Sequence, residues 1–220
     1  ARMKSWFRWS AKGAAPGELT FVTGHPGGTD RSLTVSQLRY QKDVALPSRL
    51  MQLAELRGLV TGFQLQGEEQ KRVSTETLFY VENSYKALRG RLEALQDAEF
   101  FQSKVAAEEA LRAAIAKDPE RAKVALPAFD AIERAQKRLR QIRKELNALE
   151  HGFDGDLFRF ARTLVRAAEE RPKANEERLR EYRESNLPAI TQQLFADAPI
   201  YPELEKLLLG HSLSKIRENL

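Results

Sequence analysis

From Ser32 onward, apolar residues recur at three- and four-residue intervals, the period of one face of an α-helix. Leu33, Leu38, Val44, Leu46, Leu50, Leu53 and Leu56 predict a first long helix or helix pair, kinked or divided at Pro47 because its ring has no N–H to donate. Gly58, Gly62 and Gly67 surround an expected break. A second helix is expected from about Glu68 to Leu95, with Val73, Thr77, Val81, Ser84, Leu88, Leu92 and Leu95 on one face. Asp97 can cap a third, containing Phe101, Val105, Leu111 and Ile115 and stopping near Asp118-Pro119. A fourth runs from about Pro127 to Glu150 and carries a heptad seam of Ile132, Ala135, Leu139, Ile142, Leu146 and Leu149. So few heptads favour a partner inside the chain, and His151-Gly152 closes the helix. A fifth covers Asp156 to Glu170, and Pro172, Pro188, Pro199 and Pro202 divide the rest into shorter helical pieces.

The first thirty residues break this pattern. Trp6, Phe7 and Trp9 lie close together, and Gly13, Pro16 and Gly17 punctuate a loop. Leu19-Thr20-Phe21-Val22-Thr23 predicts a short strand ended by Gly24, and the turn-rich His25-Pro26-Gly27-Gly28-Thr29-Asp30 follows. One strand needs a sheet that the rest of this sequence does not supply. The unpartnered strand, and a helical pattern that reaches Leu220 without a cap, suggest a segment of a larger protein, with the helical part truncated at its C-terminus. The expected fold is therefore mainly α, with a short N-terminal strand.

Composition narrows the function classes. Of 220 residues, 42% are hydrophobic and 8% aromatic, enough for a folded core. No apolar run is long enough to cross a bilayer. The chain has no Cys, which removes thiolate nucleophiles, thiolate metal sites and disulfides. Its net charge of +5 comes from 36 basic residues interleaved with 31 acidic ones, the pattern of solvated helix faces. The densest basic run, Arg134, Lys137, Arg138, Arg140, Arg143 and Lys144, can touch phosphates, but Glu133, Glu145 and Glu150 accompany it and no aromatic is interleaved for base stacking.

Candidate chemistry is sparse. His25, His151 and His211 share no metal-ligand spacing, no Ser occupies a glycine-flanked nucleophile turn, and the glycine loop at 24–28 lacks the Lys-Ser/Thr ending of a phosphate cradle. No catalytic residue, metal site or cofactor is expected. The second helix is more specific. Opposite its core stripe, at spacings of three and four, run Glu76, Phe79, Asn83, Lys86 and Gly90. An aromatic, an amide and a glycine on one line suggest a second covered side, because an interior Gly costs about 1 kcal/mol against Ala. The residues alone favour the plainer alternative, a surface amide and a helix-ending glycine.

Several segments resemble one family. Trp6-Phe7-Arg8-Trp9-Ser10, Gly17 to Gly27 and Thr29-Asp30-Arg31 are similar to the strand and loop at which the bacterial dipeptidyl-peptidase 7 and 11 serine peptidases leave their first β-barrel. Glu82-Asn83-Ser84-Tyr85-Lys86-Ala87 resembles the Asn-bearing helix of their inserted helical domain, and Arg171 to Leu179 and Ala198-Pro199-Ile200-Tyr201-Pro202 resemble later parts of it. One departure is Gly28, where the family usually carries Arg.

The resemblance implies a multi-helix lid inserted in a chymotrypsin-like double barrel, residues 1–31 being the end of the first barrel and 32–220 the lid. It implies a parent enzyme that releases dipeptides from peptide N-termini, with its triad His and Asp before Ala1 and its Ser after Leu220, so that this chain alone is inactive. Asn83 is the position matching the family's Asn that helps bind the substrate α-ammonium, for which an amide carbonyl is a suitable acceptor. The implied partners are a peptide substrate, the barrels of the same chain and a second copy in a homodimer, with no nucleic acid or membrane, in a periplasmic or exported setting. The competing reading is a free-standing basic helical scaffold that binds a protein or nucleic acid through its heptad helix.

Overall fold

A computed structural model describes residues 6, 8–24 and 32–219. It divides into two units, Ala1–Ser32 and Leu33–Leu220. The loop residues His25 to Arg31, including Gly28, lie outside the described residues.

In the first unit the expected strand at Leu19–Thr23 is not formed, and no strand occurs among the described residues. The reason is the one the sequence raises: a strand is held by a neighbour's hydrogen bonds, and these residues have none. Leu19, Phe21 and Val22 are exposed, Val22 to 96%. Local order comes from turns instead. Glu18 N–H donates to the Ala15 carbonyl at 3.0 Å, and Ala15 N–H donates to Glu18 Oε2 at 2.8 Å. Gly13 and Gly17 take φ of 68° and 82°, which residues with a Cβ rarely adopt.

The second unit is helical. Its elements are α1 (Val35–Tyr40), a π segment (Gln41–Ala45), α2 (Leu46–Gln64), α3 (Glu68–Gln96), α4 (Ala98–Ala116), α5 (Pro119–Leu146), a second π segment (Asn147–His151), α6 (Asp156–Glu170), a 3-10 turn (Arg180–Tyr182), α7 (Leu187–Leu194) and α8 (Pro202–Asn219). The π segments continue their neighbours, so seven unbroken helices result among the described residues.

Where these helices start follows from side-chain caps. Thr34 and Gln37 form a reciprocal capping box at α1, and Asp97 accepts from Phe100 N–H at 2.7 Å at α4. At α5, Asp118 accepts from the N–H groups of Glu120 and Arg121, with Pro119 in the first turn where a missing N–H costs nothing. That combination starts α5 eight residues before the expected Pro127, which sits inside the helix. Pro47 divides nothing either. The chain widens to a π segment just ahead of it, and the Leu46 N–H donates to the Gln41 carbonyl. Gly58 and Gly62 do not break α2, because Leu53, Leu56, Val60 and Phe63 on its other side are buried in the core. Gly152 ends the second π segment in an ordinary right-handed conformation, φ −78°.

The core lies where α2, α3 and α8 meet: Leu53, Leu56, Val60 and Phe63 from α2, Val81 from α3, and Leu204 and Leu208 from α8. Each such side chain contributes about 1.5–3 kcal/mol on burial. α5 packs on α4 and α1. Along its heptad seam Ile132, Leu139, Ile142 and Leu146 are half-buried, while Ala135 and Leu149 face solvent. The seam is thus used within the chain.

α6 is fastened by polar contacts from distant elements. Gly155 has no side chain to cap it, and Glu205 of α8 does so instead, accepting from Asp156 N–H at 2.9 Å and Leu157 N–H at 3.0 Å. A Cβ on Gly155 would lie 2.6 Å from Glu205 Oε2, so the glycine makes room for that carboxylate. Arg166 grips Glu150 with two nitrogens, and Arg162 donates to the Glu150 carbonyl at 2.7 Å, satisfying a helix end. At the end of α6, Glu170 is buried, takes the Lys173 ammonium at 2.5 Å and accepts from Leu179 N–H at 2.7 Å. These two bonds, the Lys173 one first, hold its carboxyl below the usual range.

Candidate functional site

α3 has two faces with different fates. Val73, Leu78, Val81, Tyr85 and Leu88 pack into or against the core, and fully buried Ser74 donates to the Gln70 carbonyl at 2.6 Å. The opposite line, Glu76, Phe79, Asn83, Lys86 and Gly90, faces solvent along its whole length. Phe79 is 72% exposed and its neighbour Tyr80 is 63% exposed. Pattern reading left Tyr80 out of the line. Its signal was the three-residue spacing to Asn83.

Asn83 sits midway along this line. Its side chain is exposed and makes no hydrogen bond among the described residues. One flank is braced by Arg57 of α2, which donates to Glu82 Oε1 at 3.1 Å. Both partners are about half exposed, so the pair orients the helix face more than it stabilises the fold. Gly90 is no helix end, since α3 continues to Gln96. A Cβ built there would meet nothing within 4 Å. The described fold therefore does not require glycine at 90, although glycine costs helix stability there.

Two cavities elsewhere bring charged groups together, several of them paired within the chain. One of about 560 Å³ lies between α1, α4 and α5. Around it Arg112 pairs with Glu108 at 2.8 Å and Lys137 with Glu133 at 2.9 Å. The second, about 480 Å³, lies between α2, the end of α5 and α8 and includes His211. There Lys215 is shared by Glu55 at 3.0 Å and Glu218 at 2.8 Å, while Arg143 donates to the Tyr40 hydroxyl and the Ala45 carbonyl. Much of the basic run on α5 is engaged within the chain: Lys137 and Arg143 in these contacts, and Arg138 with Gln141 at 3.3 Å. Among the described residues no three His, Asp or Glu converge as a metal site, and His25 lies outside them. No described helix is long and apolar enough to cross a membrane.

The described residues of the second unit form a mainly α fold with an aromatic, amide and glycine line on α3 exposed outside its core. Family comparison says whose it is: residues 1–220 match the family described as Peptidase S46, and the chain belongs to that family of serine peptidases, the dipeptidyl-peptidases 7 and 11. No curated protein matches the chain.

Proposed function

We propose that this chain is the substrate-covering helical part of a serine exopeptidase that removes dipeptides from peptide N-termini, and that Asn83 binds the substrate's α-ammonium. Family membership implies a peptide substrate. The observation that carries the finer reading is the solvent-facing line on α3, with an unengaged amide at its centre and a glycine that the described fold does not need.

The chemistry suits the task. An ammonium has donors only, and the Asn83 carbonyl oxygen supplies an acceptor without the desolvation cost of a buried carboxylate. A site that requires a terminal ammonium rejects internal peptide segments, because their amide nitrogen has no charge to place there. Cutting two residues in from that ammonium is then a matter of distance between Asn83 and the nucleophile. By the family resemblance, the triad His, Asp and Ser belong to the barrels that the lid covers, in a periplasmic or exported homodimer. This chain contributes position and exclusion of water rather than bond-making.

The test uses the peptidase containing this chain, with one peptide in two forms, free and α-N-acetylated. Dipeptide release is expected from the free form alone. Equal cleavage of both forms would remove any role for an ammonium site, and with it this assignment of Asn83.

A further inference from the structure

The cleft between α2, the end of α5 and α8 holds about 480 Å³, within the range of sites that take small molecules. Some of its charges are engaged inside the chain, Lys215 by Glu55 and Glu218, and Arg143 by the Tyr40 hydroxyl and the Ala45 carbonyl. Three others are not. Lys144 makes no hydrogen bond or ion pair among the described residues, and Arg49 makes one long bond, to Gln52 Oε1 at 3.4 Å. Asp154 donates its N–H to the Ser212 hydroxyl at 3.4 Å, but its carboxylate has no hydrogen-bond partner among the described residues. Asp154 as a residue is exposed, yet enough of its carboxyl is enclosed that burial pushes it above the usual carboxylate range. Arg49, and then His211, act in the opposite direction, which places both cationic groups near it. Met51 of α2, 66% exposed, and half-buried Ile216 of α8 add apolar surface to the walls.

These groups define a ligand by its charges. A simple anion suits Arg49 and Lys144 but is repelled by Asp154, and a simple cation meets the reverse conflict. A zwitterion answers both, because an ammonium has donors for the carboxylate and a carboxylate has acceptors for the guanidinium. An extended dipeptide spans about 7 Å, so both ends and its side chains fit a cleft of this volume, which longer peptides outgrow. The flexible thioether of Met51 adapts to side chains of different shape, so the cleft reads the two ends more than the sequence between them. We propose that this cleft is a second, non-catalytic site that binds a free dipeptide, its ammonium at Asp154 and its carboxylate at Arg49 and Lys144. Dipeptides are what the proposed reaction releases, so the site senses product; that link alone rests on the proposed function. Since α8 completes the core with α2, a ligand touching both walls ties them together and stabilises the fold by mass action.

The experiment titrates the peptidase containing this chain with Ala-Leu, its C-terminal amide and its N-acetyl form, followed by calorimetry and by the thermal midpoint. Ala-Leu is expected to bind with a Kd of about 1 mM or tighter and to raise the midpoint. Blocking either end weakens binding about tenfold, the usual loss when a charged group is deprived of its partner. Arg49→Gln weakens Ala-Leu by a similar factor but barely changes binding of the amide, because both changes delete the same contact. Asp154→Asn does the same for the N-acetyl form. Asn83→Ala leaves all of this binding in place, which separates the cleft from the α3 face. No saturable binding of Ala-Leu overturns the proposal. So does an amide that binds as well as the free acid, or binding lost in Asn83→Ala and kept in Arg49→Gln and Asp154→Asn, since either puts the dipeptide on α3. Acetate binding as tightly as Ala-Leu would make the cleft an anion site and also overturn it. The end-blocked ligands test the unaltered protein, so the result stands even where a variant folds poorly. Loss of the Asn83 effect on kcat/KM with cleft binding intact would remove the ammonium reading and leave this site.

Discussion

Replacing Asn83 by Ala separates a ligand-binding amide from a surface one, because the two roles move different quantities. In the fold the side chain packs on nothing essential: it is exposed and makes no hydrogen bond among the described residues. Folding stability should therefore change by no more than about 0.5 kcal/mol, and the sign should favour the variant, since Ala is the better helix former. Activity should move the other way. Losing a neutral partner of a charged donor typically costs about 1.5–3 kcal/mol, roughly ten- to two-hundredfold in kcat/KM. Asn83→Asp supplies a carboxylate at the same reach and should retain much of the activity that Ala loses. The assay is kcat/KM on a good dipeptide substrate of the intact enzyme, beside thermal unfolding of each variant. An unchanged kcat/KM for Asn83→Ala would refute the reasoning. Parallel losses of stability and activity would instead make Asn83 a structural residue.

Three further outcomes follow from the same contacts. Gly155→Ala should destabilise the chain, because the added Cβ displaces Glu205 from two N–H groups, a cap worth about 0.5–2 kcal/mol; in a Glu205→Ala background the same change should cost clearly less, since no carboxylate is left to displace, and equal losses in both thermal-unfolding series would contradict the capping account. Glu170 has a depressed folded pKa, so its contribution is present above the unfolded value of about 4.3 and is lost as pH falls through the folded one; Glu170→Gln should lower the thermal midpoint at pH 7 and flatten its acid dependence, and parallel midpoint curves would count against this. The 220-residue chain by itself should release no dipeptide from chromogenic substrates, since it offers binding groups without the family's nucleophile; turnover that persists through purification would overturn that.

Local chemistry in the sequence was enough to place most helices. Asp97 announces a helix start because it satisfies a backbone donor within three residues, and the 3.6-residue stripe of α3 names its buried side because the period is set by the backbone itself; Asp118-Pro119 reads as the end of the third helix, whereas the structure also starts α5 there. The line bearing Asn83 was legible for the same reason, and the family was legible in short motifs. What failed were inferences needing a partner. The strand at 19–23 has the right residues but no neighbour to pair with. Pro127 reads as the start of the fourth helix, yet α5 begins at Pro119 and runs through it, and of Gly58, Gly62 and Gly67 only the last adjoins the break at 65–67, because a glycine's cost of about 1 kcal/mol competes with tertiary burial that no local pattern reports. Only the tertiary structure brings α8 onto α2 and α3 to complete the core, and sends Glu205 back 49 residues to cap α6. It alone also leaves Phe79 and Tyr80 uncovered. Helix periodicity specifies which side chains share a face, whereas whether that face is buried depends on which distant segment arrives to cover it.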